Sequence, residues 1–328
     1  ADAYGHGIEV VPKAFADAAG LAIIEIENAV RLREFGWRKP ILLLEGCYDE
    51  IDWRSAGEND FSVVVHCDEQ LVQLASVPLR QRIDVFIKLN TGMNRLGFPL
   101  TATRNAVERA LASENVKSVT LMTHFACADE PDGYREQLAR FITATEDLPY
   151  PKSVSNSAAC FDVPRLCGAL GGAGDWVRPG IMLYGATPFS HSSRSAPSLG
   201  LRAGMTLSTE VIGIQSLGPG DAVGYGASYI AKKHERIAVI AAGYADGYPR
   251  HAPSGTPVLV DGHRTQLAGR VSMDKITIDI THLPRAQLGS KVELFGENLP
   301  VDEVANAAGT IGYELLTAVA RRVPKRIV

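Results

Sequence analysis

The pattern that decides the fold is clearest over residues 84–95, which read Asp84-Val85-Phe86-Ile87-Lys88-Leu89-Asn90-Thr91-Gly92-Met93-Asn94-Arg95. A short, largely apolar run is followed directly by a polar turn that contains glycine, as at the end of a buried strand. From residue 1 to about residue 200 the same order recurs, and each turn leads into a stretch with helical spacing. This repetition predicts a parallel sheet that is covered by helices on both faces.

Seven apolar runs of this kind precede residue 180, and they cover residues 21–24, 41–44, 62–65, 84–88, 119–122, 153–155 and 176–178. The intervening spacing predicts helices that include residues 8–19, 69–76, 102–113 and 134–146. A closed parallel barrel of the TIM type, a (β/α)8 barrel, needs eight strands. Since the sequence opens in a glycine-rich turn at Ala1, we expect the first strand of that barrel to lie upstream, within about 30 residues.

After about residue 200 the pattern changes to short strands that are separated by turn dipeptides every ten to fifteen residues. Such spacing, with no long helix between the runs, predicts an all-β domain. Strands are expected over residues 205–217, 236–240, 257–260 and 275–280, with a closing helix over residues 301–308. The sequence therefore predicts two domains, a barrel over residues 1–200 and a β-strand domain over residues 201–328.

The net charge, the apolar runs and the cysteines indicate which kinds of ligand and which cellular location to expect. The 328 residues carry a formal net charge of −4, which predicts neither nucleic-acid binding nor attraction to an anionic membrane and favours a small-molecule ligand. No run of eighteen apolar residues and no signal peptide is visible. An odd number of cysteines without a CxxC pair indicates free thiols and a cytoplasmic location: Cys47, Cys67, Cys127, Cys160 and Cys167.

Two cofactor hypotheses are rejected on spacing. The histidines other than His124, His191 among them, show no HxxxH or HxH pair, so we expect no metal site. The run Gly171-Gly172-Ala173-Gly174 precedes its strand and lacks an acidic partner about twenty residues later, so it does not predict dinucleotide binding.

Polar residues stand at the ends of several predicted strands, where active sites of parallel barrels lie. They are Lys88, Arg95, His124, Asn156 with Ser157, and Arg178. Any one of them alone is better explained as a hydrogen-bonded strand end, but five on one rim predict a ligand site. The segment 155–159 is compatible with a phosphate site at a helix start, or equally with a plain N-cap.

One tyrosine in the second half has an unusual setting. Tyr225 lies between Gly224 and Gly226, a backbone that favours pushing the ring outward, although a buried core tyrosine is the ordinary alternative.

Together these residues resemble a known family. The resemblance spans essentially the whole chain and rests on nine motifs in order, at residues 3–7, 90–97, 123–125, 156–159, 178–181, 224–226, 243–248, 269–274 and 312–314. The sequence is similar to the alanine racemases, enzymes that use pyridoxal 5'-phosphate (PLP). The resemblance implies an N-terminal PLP-binding barrel and a C-terminal β domain that contributes to the active site of the partner subunit in a homodimer.

The implied activity is interconversion of L- and D-alanine, an isomerase reaction that supplies D-alanine for peptidoglycan. It proceeds by two-base removal and return of the α-proton of a PLP aldimine. In the family, one base is the lysine that holds PLP and the other is a tyrosine, which Tyr225 matches. His124 and Arg178 match a chain that ends on the pyridine nitrogen; an arginine there leaves that nitrogen unprotonated and restrains side reactions.

The resemblance also implies roles for the other strand-end residues. Arg95 matches an arginine that contacts the PLP phenolic oxygen and the substrate carboxylate. Lys88 matches a lysine that is often carbamylated and, as an anion, then pairs with that arginine. Met273 matches a residue whose backbone meets the substrate carboxylate from the partner subunit. The positions that match the phosphate site are Tyr4, Asn156, Ser157, Gly180, Ile181 and Tyr313. Those that match the entrance are Tyr244, Arg250 and Asp129.

One departure leaves alternatives open. In the family, the Schiff-base lysine directly precedes the segment that opens this sequence at Ala1, and Lys13 is no substitute because it falls in the following helix. Either an N-terminal piece with the first strand and the lysine precedes Ala1, or the chain forms no internal aldimine. The alternatives are a catalytically silent PLP-binding barrel and an amino-acid racemase of broader specificity.

Overall fold

The computed structural model describes residues 1–162, 174–189 and 193–328. These residues form two compact units, one of Ile8–Gly180 and one that joins Ala1–Gly7 to Ile181–Val328. Three features singled out in the sequence lie outside the described residues: Cys167, the glycine run over 171–173, and His191.

The first unit contains one sheet whose strands pair in chain order and are all parallel. They are β1 Leu21–Ile23, β2 Ile41–Leu43, β3 Ser62–Val65, β4 Ile83–Lys88, β5 Val116–Met122 and β6 Lys152–Ser153. The seventh predicted run is not a strand within the described residues: it contributes a single bridge, between Trp176 and Ser153. The parallel α/β architecture predicted from the sequence is confirmed.

In the part of this unit that the structure describes, six helices accompany these strands: α1 Val11–Ala14, α2 Ile26–Glu34, α3 Glu50–Glu58, α4 Asp68–Ser76, α5 Thr103–Ala112 and α6 Arg135–Thr145. The predicted helix over residues 8–19 is wrong in length. A 3-10 turn over Ile8–Val10 leads into α1, which ends at Ala14 because the chain must turn back to begin β1, where the Leu21 N–H donates to the Pro40 carbonyl over 2.9 Å.

The sheet is apolar because its central strands are covered on both faces. All four residues of β3 are buried, and Val63, Val64 and Val65 have no exposed surface. Four neighbouring strands each add one side chain to a cluster of Leu42, Val64, Phe86 and Met122. Burying a side chain of this size contributes about 1.5–3 kcal/mol, so the sheet is a stable base for what lies at its edge.

The strands of the second unit are β7 Leu207–Leu217, β8 Ala222–Val223, β9 Tyr229–Ile230, β10 Glu235–Ile240, β11 Pro257–Val260, β12 His263–Leu267, β13 Ile276–Asp279 and β14 Lys291–Phe295. They form a closed antiparallel barrel in the order β10-β13-β12-β11-β14-β7 and a separate hairpin of β8 and β9. Two helices follow, α7 Val301–Ala307 and α8 Gly312–Ala318. The all-β prediction for the second half is confirmed, and α8 adds a helix that the sequence pattern did not indicate.

The first seven residues form a left-handed turn. Asp2, Ala3 and Tyr4 have φ values of 46°, 51° and 51°, and Gly5 continues the turn with a φ of 77°. The Gly7 N–H closes it by donating to the Asp2 carbonyl over 2.9 Å. A Cβ added to Gly5 would lie 2.1 Å from the carbonyl oxygen of Leu316 in α8, so this turn packs tightly against the second unit to which it belongs.

Among the helices of the described residues, none combines the length and the apolar character that crossing a membrane requires.

Gly5→Ala should lower the thermal unfolding midpoint much more than Gly36→Ala. Both glycines have positive φ values, and a non-glycine residue there costs about 1–2 kcal/mol. Only at Gly5 does the new methyl group also meet backbone, whereas nothing lies within 4 Å of a Cβ at Gly36. Equal losses in the two variants, followed by circular dichroism on heating, would show that the Gly5 contact carries no stability.

Candidate active site

The carboxyl ends of the parallel strands share one edge of the sheet, and functional side chains of the first unit lie there. Lys88 is the last residue of β4, and His124 follows β5 by two residues. Arg178 follows the Trp176 bridge by two residues. Strand direction alone therefore brings residues that are distant in sequence to one edge.

A small cavity opens at this edge between the turns that follow β4 and β5. Eight residues line it: Lys88, Leu89, Asn90, Thr91, Met93, Arg95, Leu96 and His124. Three residues predicted from the sequence, Lys88, Arg95 and His124, are thus brought together. Arg95 is exposed, His124 half-buried, and Lys88 only 6% exposed.

Arg178 is anchored to the same strand ends. Its Nη1 donates to Ser153 Oγ over 2.6 Å and its Nη2 to the Thr123 carbonyl over 2.7 Å. Its backbone N–H donates to the Ser155 carbonyl over 2.8 Å. A half-buried guanidinium held by two bonds, on a backbone fixed by a third, has one orientation, which suits a group that must face a fixed part of a ligand.

The cations at this edge disturb one another's ionisation. Burial, then Arg95 and Arg178, lower the pKa of Lys88 to about 8, against an opposing effect of Glu45. Burial, then Arg178, Lys88 and Arg95, lower the pKa of His124 to about 4, so its imidazole is neutral at pH 7. Burial lowers the pKa of Arg178 to about 10, which still leaves it charged at pH 7.

These cations have no carboxylate partner. Across residues 1–162, 174–189 and 193–328, no ion pair within 4.0 Å includes Lys88, Arg95 or Arg178. Burying unpaired like charges costs free energy unless something neutralises them. The edge is therefore built to receive a ligand that carries several negative or acceptor groups.

Asn156 and Ser157 lie after β6 and order the backbone beside them. Asn156 Oδ1 accepts from the Ala159 N–H over 3.2 Å, so it caps the 3-10 turn Ala159–Asp162, as the N-cap alternative predicts. Ser157, which is buried, accepts the Gly180 N–H with its Oγ over 2.7 Å. The phosphate role of these three residues stays a prediction, and the Gly180 N–H would have to exchange Ser157 for a phosphate oxygen.

The remaining predicted positions of the cofactor site belong to the second unit. The Tyr4 ring lies 4.8 Å from that of Tyr184 and 6.0 Å from that of Tyr313, measured between centroids, so the predicted phosphate tyrosines adjoin one another. Ile181, the other position of this set, is fully buried.

The predicted second base is exposed. Tyr225 has 74% of its surface accessible and is flanked by Gly224 and Gly226 with φ values of 66° and 73°, as the glycine pattern predicts. Met273 is 54% exposed. Both side chains are therefore presented on the surface of this unit.

The predicted entrance residues belong to different units. Tyr244 and Arg250 line a second cavity of about 300 Å³ within the second unit, next to the buried Tyr248. Asp129 is an exposed residue of the first unit. Their role at an entrance stays a prediction.

Several residues at the carboxyl edge were missed in the sequence. Glu45 and His66 follow β2 and β3, so the rule that identified Lys88 could have found them. Thr91 and Gln137 contact each other beneath the cavity, where Gln137 Nε2 donates to Thr91 Oγ1 over 3.1 Å. A glutamine within a stretch of helical spacing gives no sign in the sequence that its side chain contacts the site.

Comparison with known proteins gives the family. The model of the alanine racemase N-terminal domain matches residues 1–188, and that of the alanine racemase C-terminal domain matches residues 204–327. The chain belongs to the alanine racemase family. The racemase activity and the two-part fold expected from the sequence are thereby confirmed at the level of the family.

Individual racemases match over almost the full chain. An alanine racemase of Janthinobacterium sp. (strain Marseille) is 53% identical over 327 residues, which cover 98% of this chain and 89% of the relative. A catabolic alanine racemase of Salmonella typhimurium is 48% identical, with 99% and 89% covered. The crystal structure of a biosynthetic alanine racemase from Pseudomonas aeruginosa superposes with a TM-score of 0.93 at 44% identity, with 99% and 89% covered.

His124 should make this racemase-family chain less stable in mild acid. Unfolded histidine takes up its proton near pH 6.5 and His124 in the fold only near pH 4, so the unfolded state binds more protons between these values and stability falls as the pH is lowered through them. The full effect is about 3 kcal/mol. Urea unfolding of wild type and of His124→Asn at pH 7 and pH 4.5 measures it. If both lose the same stability on acidification, His124 is not the group responsible.

Proposed function

We propose that this protein interconverts L- and D-alanine with PLP, as a homodimer whose subunits complete each other's active sites. The observation that carries the proposal is the carboxyl edge of the first unit, where three unpaired cations surround a neutral histidine. Membership of the alanine racemase family supports the substrate and the cofactor. We further propose that the D-alanine supplies peptidoglycan and that the enzyme works in the cytoplasm, which free thiols such as the buried Cys47 support.

The side chains at this edge fit PLP. A phosphate, a phenolic oxygen and an amino-acid carboxylate are all acceptors, and Lys88, Arg95 and Arg178 supply only N–H donors. PLP, when bound, supplies the electron sink that makes the α-hydrogen of an amino acid acidic. Arg95 would hold the phenolic oxygen and the substrate carboxylate, while Tyr4, Asn156, Ser157, Gly180, Ile181 and Tyr313 would hold the phosphate.

Arg178 would face the pyridine nitrogen. A guanidinium has no acceptor and keeps its own proton at pH 7, so it stabilises an unprotonated nitrogen opposite it. The bonds to Ser153 and Thr123 hold Arg178 in this role. A weaker electron sink favours simple proton exchange over reactions that need a more stabilised carbanion, and this suits a racemase.

Tyr225 would move the proton on the face opposite the cofactor lysine. A phenol is a weak base at pH 7 unless its anion is stabilised. Neutral His124 offers an unprotonated ring nitrogen, and Arg178 offers positive charge. Because Tyr225 and Met273 are exposed on the second unit, we assign them to the active site of the partner subunit, where Met273 would meet the substrate carboxylate.

Lys88 is suited to carbamylation. Its lowered pKa leaves about a tenth of the amine neutral at pH 7, and a neutral amine adds to CO2 with release of a proton. The product is an anion, which would convert repulsion of Arg95 into attraction. Tyr244, Arg250 and Asp129, which match the family pattern, would form the entrance for the amino acid.

Mixing two inactive variants should restore activity if sites are shared between subunits. Tyr225→Phe and Arg95→Gln each disable one contribution, and both side chains are exposed, so folding is unaffected. Refolding an equal mixture makes half of the dimers mixed, each with one intact site, which predicts about a quarter of wild-type activity. Each variant refolded alone is the control. A mixture as inactive as its components would show that each site is built from one subunit.

Tyr225→Phe alone should act unequally on the two faces of the amino acid. Loss of one base stops proton removal from one enantiomer and spares removal from the other. We expect α-hydrogen exchange in D2O, followed by proton NMR, to fall at least about ten-fold for one alanine enantiomer only. Equal small decreases for L- and D-alanine would contradict the two-base scheme.

Lys88→Ala should lower kcat and abolish a carbamate resonance that the wild-type protein shows by 13C NMR under 13CO2. The exposed Lys117, which pairs with Asp84, is the control, because Lys117→Ala leaves the edge intact. A wild type without the resonance would refute carbamylation of Lys88.

A further inference from the structure

Gln137 lies in the first turn of α6 and is 8% exposed, yet its side chain reaches two loops at the carboxyl edge. Its Oε1 accepts the Ala126 N–H over 2.7 Å. Its Nε2 donates to Thr91 Oγ1 over 3.1 Å and to the His124 carbonyl over 3.3 Å. One amide thus spans the turn after β4, which contains Thr91, and the segment after β5, which contains His124.

The bonds continue through buried threonines to the third cation. Thr91 Oγ1 and Thr123 Oγ1 lie 2.8 Å apart, and Thr123 Oγ1 donates to the Leu89 carbonyl over 2.9 Å. The Thr123 carbonyl in turn accepts from Arg178. Thr91 is 2% exposed and Thr123 fully buried, so water does not compete for these bonds.

A buried network of this kind resists displacement because any member that moves leaves an unpaired polar group, at a cost of about 1–3 kcal/mol. Gln137, Thr91 and Thr123, which link the two loops, are themselves uncharged, so they add rigidity without adding to the positive potential of the cavity. The network contacts Thr91 in the turn that leads to Arg95, the carbonyl of His124 and the guanidinium of Arg178.

We propose that Gln137 is a positioning residue for the racemase, which holds His124 and the Arg95 turn in register with Arg178. The proposal rests on the function proposed above. Gln137 is buried and does not line the cavity, so it acts through the two loops that it joins.

A second glutamine provides a natural comparison. Gln70 in α4 is 5% exposed, and its Oε1 accepts the His66 N–H over 2.9 Å. Its Nε2 donates to the carbonyls of Glu45 and Cys47 over 3.1 and 3.3 Å. Like Gln137, Gln70 accepts one backbone N–H and donates twice, here to two carbonyls, and it joins the loops after β2 and β3 at the same edge. None of the residues that Gln70 joins lines the cavity.

The test replaces each glutamine by methionine, which keeps length and removes all three bonds. We expect Gln137→Met and Gln70→Met to lower the unfolding midpoint similarly. Gln137→Met alone should lower kcat at least about ten-fold, because displacement of reacting groups by about 1 Å costs up to 100-fold.

A second readout does not depend on activity. Imidazole proton NMR follows the titration of His124, whose resonance is the one missing from His124→Asn. In the wild type, burial and the charges of Lys88, Arg95 and Arg178 hold the His124 pKa at about 4. Release of its loop admits water, so the pKa should rise toward 6.5 in Gln137→Met and stay unchanged in Gln70→Met.

Three outcomes decide the proposal. Proportional losses of kcat and stability in both variants, with an unmoved His124 titration, would mean that Gln137 is structural only. If the wild-type protein has no racemase activity but the His124 titration still shifts in Gln137→Met, positioning is supported and the proposed function is refuted. If Gln137→Met does not fold, Thr91→Val and Thr91→Ser make the same test: serine keeps the hydroxyl and should retain activity and titration, and valine should not.

Discussion

The rest of the structure depends on one electrostatic constraint: three cations at the carboxyl edge of a parallel sheet have no carboxylate partner among the residues that the structure describes. Lys88, Arg95 and Arg178 depress the pKa of neighbouring groups, and Lys88 is almost completely buried. Such an arrangement destabilises the chain by itself. It persists because the strands below bury apolar side chains and because the guanidinium of Arg178 is held by strand-end oxygens. The free energy of apolar burial thus offsets the cost of charges that are unpaired until a ligand binds.

The two units supply different chemical resources. The first unit holds Lys88 in a buried position and His124 in a half-buried one, and burial and neighbouring charge set the protonation of both. The second presents Tyr225 and Met273 at its surface, on backbone that glycine makes accessible. An exposed phenol has little basicity at neutral pH, whereas a phenol beside neutral imidazole and a guanidinium has more. A racemase with shared sites would gain its second base only on assembly, which prevents proton chemistry in an isolated subunit.

Rigidity at the edge comes from uncharged groups. Gln70 and Gln137 each join two strand-end loops through one amide, so the fold uses the same device twice. An amide suits this task because it both donates and accepts, and it adds no charge to a region that already has three cations. A lysine or a carboxylate at either position would alter the potential that sets the ionisation of His124.

The sequence by itself determined the fold class, the family and the residues at the strand ends, because periodicity, turn chemistry and ordered motifs are local properties of the chain. Lys88, Arg95, His124 and Arg178 were found in this way, as was the exposure of Tyr225 between two glycines. Only the tertiary structure decided that α1 stops at Ala14, that the run at Trp176 forms a single bridge, and that Gln137 joins two loops. Each of these depends on a partner distant in sequence: the Pro40 carbonyl, Ser153, or Thr91 and His124. Long-range hydrogen bonds leave no periodic trace in the sequence, so their consequences for the site appear only when the chain is folded.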